Sequence, residues 1–173
     1  MPKKVILYIA MSLDGFIARK NGSVDWLDKF NNTGEDCGYE KFYDSINAVV
    51  MGSSTYKQIL GFGEFPYKSK KCFVFSKKIK KGKHVEIVNG DVKKFVESLD
   101  PKENQKIWLV GGANLVNQFL KYNLIDEFFI FTMPVILGDG IRLFSGNNKE
   151  LELVFRKTKS FSLGAIESHY ERA

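Results

Sequence analysis

Residues 108–120 read WLVGGANLVNQFL, and this stretch decides the fold. Ile107–Val110 is a short apolar run of strand character, and Gly111 and Gly112 interrupt it. Leu115, Val116, Phe119 and Leu120 then recur at helical spacing, one apolar stripe. A buried strand that meets glycine and turns straight into a helix is a joint of a parallel α/β sheet. Glycine lets the backbone approach a ligand closely and accepts unusual dihedrals. The helix start offers free N–H groups that suit a pyrophosphate. Tight strand–helix packing explains the same two glycines. The spacing matches neither the Rossmann fingerprint nor a P-loop.

Upstream, 49-VVMGSSTY-56 repeats the arrangement: a buried strand, Gly52, and a helix start with three successive hydroxyls. Ser53, Ser54 and Thr55 can donate to phosphate oxygens, or simply cap the helix. Two such junctions in one chain point to a shared nucleotide site. A third strand end, 75-FSKK-78, places Ser76, Lys77 and Lys78 where they suit a phosphate or a solvated turn. The segment 12-SLDGFIARKNGSVDWL-27 holds two turn signals, Asp14-Gly15 and Asn21-Gly22, around apolar Phe16 and Ile17. It reads as a loop that closes over a ligand or as a hairpin-like surface excursion.

The remaining elements alternate. Val5–Met11 predicts a strand; Tyr39, Phe42, Tyr43 and Ile46 predict one face of a short helix. Cys72–Phe75 and Val85–Val88 read as strands. Asp91 caps a helix carrying Val92, Phe95, Val96 and Leu99, with Pro101 just past its end. Ile125–Ile136 is β-prone and broken by Pro134, and Leu151–Lys157 and Ser162–Tyr170 predict two last strands. Strands alternating with helices, then strands alone, give an α/β, three-layer αβα architecture. Its central sheet is mostly parallel, with an antiparallel C-terminal end. Ligands of such sheets gather at the carboxyl ends of the strands.

The 173 residues suit a single domain over 1–173, and 44% hydrophobic content with 15 Phe supplies a core. The net charge of +6 favours anionic ligands, although 68-KSKK-71, 77-KKIKKGK-83 and 156-RKTK-159 also read as solvated faces. These runs lack the interleaved aromatics of a single-strand-binding platform, so no nucleic-acid partner is expected. Cys37 and Cys72 have no pairing or metal-ligand spacing, and His84 and His169 stand apart. A reduced, cytoplasmic protein without a metal is expected. The apolar run Val5–Met11 is too short to span a bilayer.

Together 8-YIAMSLDGFIA-18, 49-VVMGSSTY-56, 108-WLVGGANLVNQFL-120 and 132-TMPVILGDGIRLF-144 resemble the dihydrofolate-reductase superfamily. The pattern Pro134…Gly138-Asp139-Gly140…Leu143-Phe144 is similar to the branch of the C-terminal reductase domain of the riboflavin-biosynthesis deaminase/reductase. The resemblance implies a dihydrofolate-reductase-like fold and NADPH bound across the strand ends. It implies that Ala10 and Ile17 line the nicotinamide region, and that Gly52, Ser53, Ser54 and Thr55 meet the phosphates and adenosine ribose. Ser76 and Lys77 would lie near the 2′-phosphate. Val110, Gly111, Gly112, Ala113, Asn114 and Leu115 would hold the nicotinamide edge and pyrophosphate. The arginine often found after the Met-Gly pair is here Ser53. Counting back from Met51-Gly52 puts Asp36 at the pterin-carboxylate position, with Glu40 one turn later. Either acid would orient an amino-heterocycle or sit as a favourable charge at a helix N-terminus. Thr132 would add a polar contact, and Phe42 would pack on the ring.

The implied activity is NADPH-dependent reduction of a small heterocycle, first among them 5-amino-6-(5-phosphoribosylamino)uracil. Dihydrofolate reduction is the alternative, and a non-catalytic nucleotide- or nucleic-acid-binding protein on the same fold is the rival of another class. The branch also implies a homodimer.

Overall fold

The computed structural model describes residues 3–99, 105–146 and 148–173; Pro101, the expected helix stop, lies outside them. Its centre is an eight-stranded sheet of order β5-β4-β3-β6-β1-β7-β10-β9. The strands are β1 (Lys4–Ser12), β3 (Ala48–Gly52), β4 (Lys71–Phe75), β5 (Glu86–Val88), β6 (Lys106–Gly111), β7 (Glu127–Met133), β9 (Leu153–Ser160) and β10 (Ile166–Arg172). From β5 to β7 all pairings are parallel, whereas β10 runs antiparallel to both β7 and β9. Two short strands, β2 (Phe16–Ala18) and β8 (Ile141–Arg142), pair apart from the main sheet.

Alternation along each strand feeds two cores. On β3, Ala48 and Val50 turn to one face, and Val49 and Met51 to the other. The first face joins Val5, Leu7, Ile107 and Leu109 to α4 (Val92–Ser98) and α5 (Ala113–Lys121), through Val92, Phe95, Leu115, Val116 and Phe119. The second face carries Val74 and Trp108 beneath α2 (Tyr39–Ser45) and α3 (Ser53–Gly61), with Tyr56 and Ile59 buried. Helices on both faces explain why the parallel strands are apolar on both sides. Each fully buried Leu or Phe contributes about 1.5–3 kcal/mol of transfer free energy. A third cluster of Trp26, Phe131, Met133, Phe161 and Ala165 lies under the 3-10 turn Asp25–Leu27 and the one-turn α1 (Asp28–Asn31).

The chain departs from the sequence expectation in two places. The last strands begin later than expected, and Ser162–Gly164 is a 3-10 turn with Leu163 at φ +58°. All eight residues of β9 are exposed, so no inside–outside alternation marks its ends. The 12–27 loop is not a local hairpin. Phe16–Ala18 instead pairs with Ile141–Arg142, far along the chain. Ser12 organises this loop from a fully buried position: its hydroxyl donates to Asp14 Oδ1 (2.6 Å) and accepts from the Phe16 amide (2.9 Å).

Candidate functional site

β3 and β6 are neighbours, so the two strand–glycine–helix junctions lie side by side. A Cβ placed on Gly52 would stand 3.8 Å from both the Gly111 carbonyl oxygen and the Gly112 nitrogen. Gly111 has φ +123°, a conformation that L side chains rarely adopt. α3 and α5 start from Gly52 and Gly112 with no side-chain cap. Both helix starts therefore present backbone N–H groups and the positive end of a helix dipole at one place.

A cleft of about 780 Å³ opens there. Gly52, Ser53, Ser54, Thr55, Gly112, Ala113, Asn114 and Leu115 line it at the helix starts. Ala10, Ile17, Ala18 and Ile141 add an apolar wall, so the β2–β8 ribbon borders the cleft. Where the sheet meets α2 and the loop after α3, the lining is Tyr8, Tyr39, Tyr67 and Trp108. Among the described residues, no Asp, Glu, Lys, Arg or His lines this cleft.

The aromatic end is rigidly framed. Trp108 is buried, and its Nε1 donates to the Tyr8 carbonyl oxygen at 3.0 Å. Tyr8, Tyr39, Phe42 and Tyr67 all meet its indole edge-on, with Tyr67 nearest at 5.2 Å between centroids. Burial pushes the Tyr39 phenol up to about 12, and it raises Tyr8 and Tyr67 as well. All three stay protonated donors at neutral pH.

The residues expected at a nucleotide site separate into two sets. Ala10, Ile17, Gly52, Ser53, Ser54, Thr55, Val110, Gly112, Ala113, Asn114 and Leu115 line the cleft. Gly111 does not reach the lining and instead shapes the turn beneath it. Ser76 and Lys77 follow β4 but are not lining residues; the Ser76 hydroxyl accepts from the amides of Lys78 (3.2 Å) and Ile79 (2.9 Å), a turn-closing role. Asp36 also lies outside the lining. It is exposed and accepts from the amides of Gly38 (2.9 Å) and Glu40 (3.1 Å), which hold its carboxyl below the usual range. Glu40 is exposed in the first turn of α2, and Thr132 sits on β7 opposite Met11 and Ile166; neither lines the cleft. Phe42 stacks on Tyr8 (4.1 Å, 12°) from behind the lining. The helix α2 begins only at Tyr39, so the gap-free count from Met51-Gly52 puts Asp36 in the turn before it. Sequence reasoning missed Tyr8, Tyr39 and Tyr67. Their one signal is a polar tip on positions otherwise patterned as core.

Away from the cleft, Glu127, His169 and Glu171 bring ligand atoms within 4.8 Å of one another. Lys4 already bonds Glu127 at 2.5 Å and Arg156 bonds Glu171 at 2.6 Å, so both carboxylates carry a cation.

The RibD C-terminal domain family matches residues 66–166. The chain belongs to that family. This RibD C-terminal domain is 43% identical to the uncharacterized protein YwjB of Bacillus subtilis, over the whole of both chains. It superposes on a putative riboflavin biosynthesis protein from Shewanella sp. PV-4 with TM-score 0.89 and 30% identity, covering 100% of this chain and 99% of that one. Dihydrofolate reductase from Enterococcus faecalis, solved with NADP(H), shares the fold at TM-score 0.69 and 14% identity, covering 98% and 96%. The RibD C-terminal domain therefore has a dihydrofolate-reductase-like fold, mostly parallel with an antiparallel end.

Proposed function

We propose that this RibD C-terminal domain is an NADPH-dependent reductase of a small heterocycle. The observation that carries this reading is the pair of uncapped helix starts meeting at Gly52 and Gly112 inside one cleft. That donor set suits a pyrophosphate, and the cleft volume suits a dinucleotide with a small partner. Bound there, a reduced nicotinamide supplies hydride. The protein's part is orientation. The Ser53, Ser54 and Thr55 hydroxyls and the α3 and α5 amides hold the phosphates. Ala10 and Ile17 shield the nicotinamide region from water, and Trp108 with its tyrosines seats the acceptor ring.

Family membership makes 5-amino-6-(5-phosphoribosylamino)uracil the first substrate to test. Dihydrofolate has less support, because Asp36 and Glu40 lie outside the lining and leave no carboxylate for an amino-pterin. Titration with NADPH and NADH, followed by Trp108 and Trp26 fluorescence and by thermal shift, tests the cofactor reading. Saturable binding with NADPH preferred is the expected result; a folded sample that binds neither refutes it.

We further propose that two copies pair along β9. This edge strand exposes Leu153, Val154 and Phe155 at one end, and unpaired strand edges seek partners. Light scattering is expected to report a dimer for the native chain and a monomer for Phe155→Glu. A native monomer at all working concentrations refutes the pairing.

A further inference from the structure

We propose that Glu127, His169 and Glu171 form a binding site for one Zn²⁺ ion at the end of the sheet opposite the cleft. Their ligand atoms lie within 4.8 Å of one another. All three stand on one face, where β7 begins and β10 ends. The cleft lies beyond the carboxyl ends of β3 and β6, so the two sites are separate.

The sheet register brings the three together. Glu127 and Glu171 are direct cross-strand partners, and His169 stands two residues before Glu171 on the same face. Two carboxylates placed opposite one another repel, so the pair calls for a cation. His169 stacks on Phe129 at 4.0 Å and 12°, which fixes its ring. Its Nε2 lies 3.3 Å from Glu127 Oε2. Two ligands in a tetrahedral zinc shell, with bonds of about 2.0 Å, stand about 3.3 Å apart. Sequence spacing hides the cluster, since Glu127 reaches the other two only through strand pairing.

Lys4 and Arg156 do not fill the site. Each takes one oxygen: Lys4 Nζ donates to Glu127 Oε1 at 2.5 Å, and Arg156 Nη2 donates to Glu171 Oε2 at 2.6 Å. Glu127 Oε2 stays turned to His169, and Glu171 Oε1 has no partner among the described residues. The two cations act as outer-shell groups that hold the far oxygens of the ligating carboxylates. A small turn of the Glu171 side chain completes the third bond. Imidazole with carboxylates selects zinc over magnesium or calcium, which prefer oxygen ligands alone. An ion held by both β7 and β10 binds the folded chain only, and stabilises it by mass action.

The test needs no turnover. Zn²⁺ is titrated by calorimetry into the untagged, chelator-stripped full chain, and Co²⁺ is titrated in parallel as a spectroscopic probe. One Zn²⁺ per chain is expected, with a rise in melting temperature that excess Mg²⁺ does not reproduce. Co²⁺ should give the visible bands of a four-coordinate nitrogen–oxygen site, without the near-ultraviolet band of a thiolate. His169→Gln and Glu171→Gln are expected to weaken Zn²⁺ at least about tenfold and to remove the Co²⁺ bands. Cys37→Ser and His84→Gln, which change a thiol and the other histidine, should leave both readouts as they are. Circular dichroism and melting without metal check that each variant is folded. A native chain that binds no Zn²⁺ overturns the proposal, as does a thiolate band with Co²⁺. Affinity unchanged in both site variants overturns it too, and marks an adventitious ion only. NADPH titration is expected to be the same with and without Zn²⁺, so the reductase reading stands or falls separately.

Discussion

Asp14 fastens two distant loops: its Oδ2 accepts the Gly138 amide at 2.7 Å, while its Oδ1 accepts the Leu137 amide at 3.1 Å. The Ser12 hydroxyl is the largest influence holding this carboxyl below its usual value, and those two amides add to it. A carboxylate depressed in the folded state stabilises above its unfolded pKa of about 3.9, and that contribution disappears as pH falls through the folded value. Asp14→Asn is therefore expected to lower the urea midpoint at neutral pH. The gap to the native chain should narrow progressively as pH falls below about 4. A gap that stays constant as the solution is acidified would show that the carboxylate charge is not what fastens the loops.

The ribbon beside the cleft depends on Gly140. Its φ is +153°, and a Cβ there would meet the Ala18 carbonyl oxygen at 2.3 Å. Gly140→Ala forces β8 away from β2. We expect a stability loss of about 2 kcal/mol, within the range for strained backbone positions. NADPH affinity should fall with it, because Ala18 and Ile141 line the cleft. Thermal denaturation and cofactor titration check both effects.

Gly112→Ala separates binding from folding. Gly112 has φ −67°, which alanine adopts without strain, yet the new methyl would lie 3.4 Å from Thr55 Oγ1 on the cleft wall. Cofactor affinity should drop about tenfold, about 1.4 kcal/mol. The melting temperature should fall only modestly, by the roughly 0.5–1 kcal/mol by which alanine is a poorer N-cap than glycine. Equal loss of both would mean the junction is structural only.

Phe119 is fully buried between α5 and the sheet. Phe119→Ala should cost about 3–5 kcal/mol, the transfer term plus the cavity left behind. Urea denaturation would report it as a lower midpoint at unchanged slope.

The main sheet was legible because each parallel strand is a short apolar run ended by glycine or a polar turn, as at Gly52 and Gly111. The β2–β8 pairing was not. Strands of two and three residues show no periodicity, and Phe16 finds Arg142 only through the tertiary fold. The glycine junctions of the cleft were legible for the same local reason that they form. The phenols were hidden because Tyr8, Tyr39 and Tyr67 come from three separate segments and pattern as core. Only their place on the wall of the folded cleft distinguishes them. Asp36 stood out in sequence by counting and is, in space, a cap on the turn before α2.

The place of β1 in the middle of the sheet governs how this chain must be born. Its only flanking strands are β6 and β7, so Lys4 waits for Lys106 and Ile6 for Glu127. A chain that ends after α4 has its central strand but neither of that strand's neighbours. Such long-range pairing makes assembly slow and late. The central strand is therefore completed only once β7 has followed β6, whereas the cleft between β3 and β6 has its second glycine junction as soon as β6 is in place.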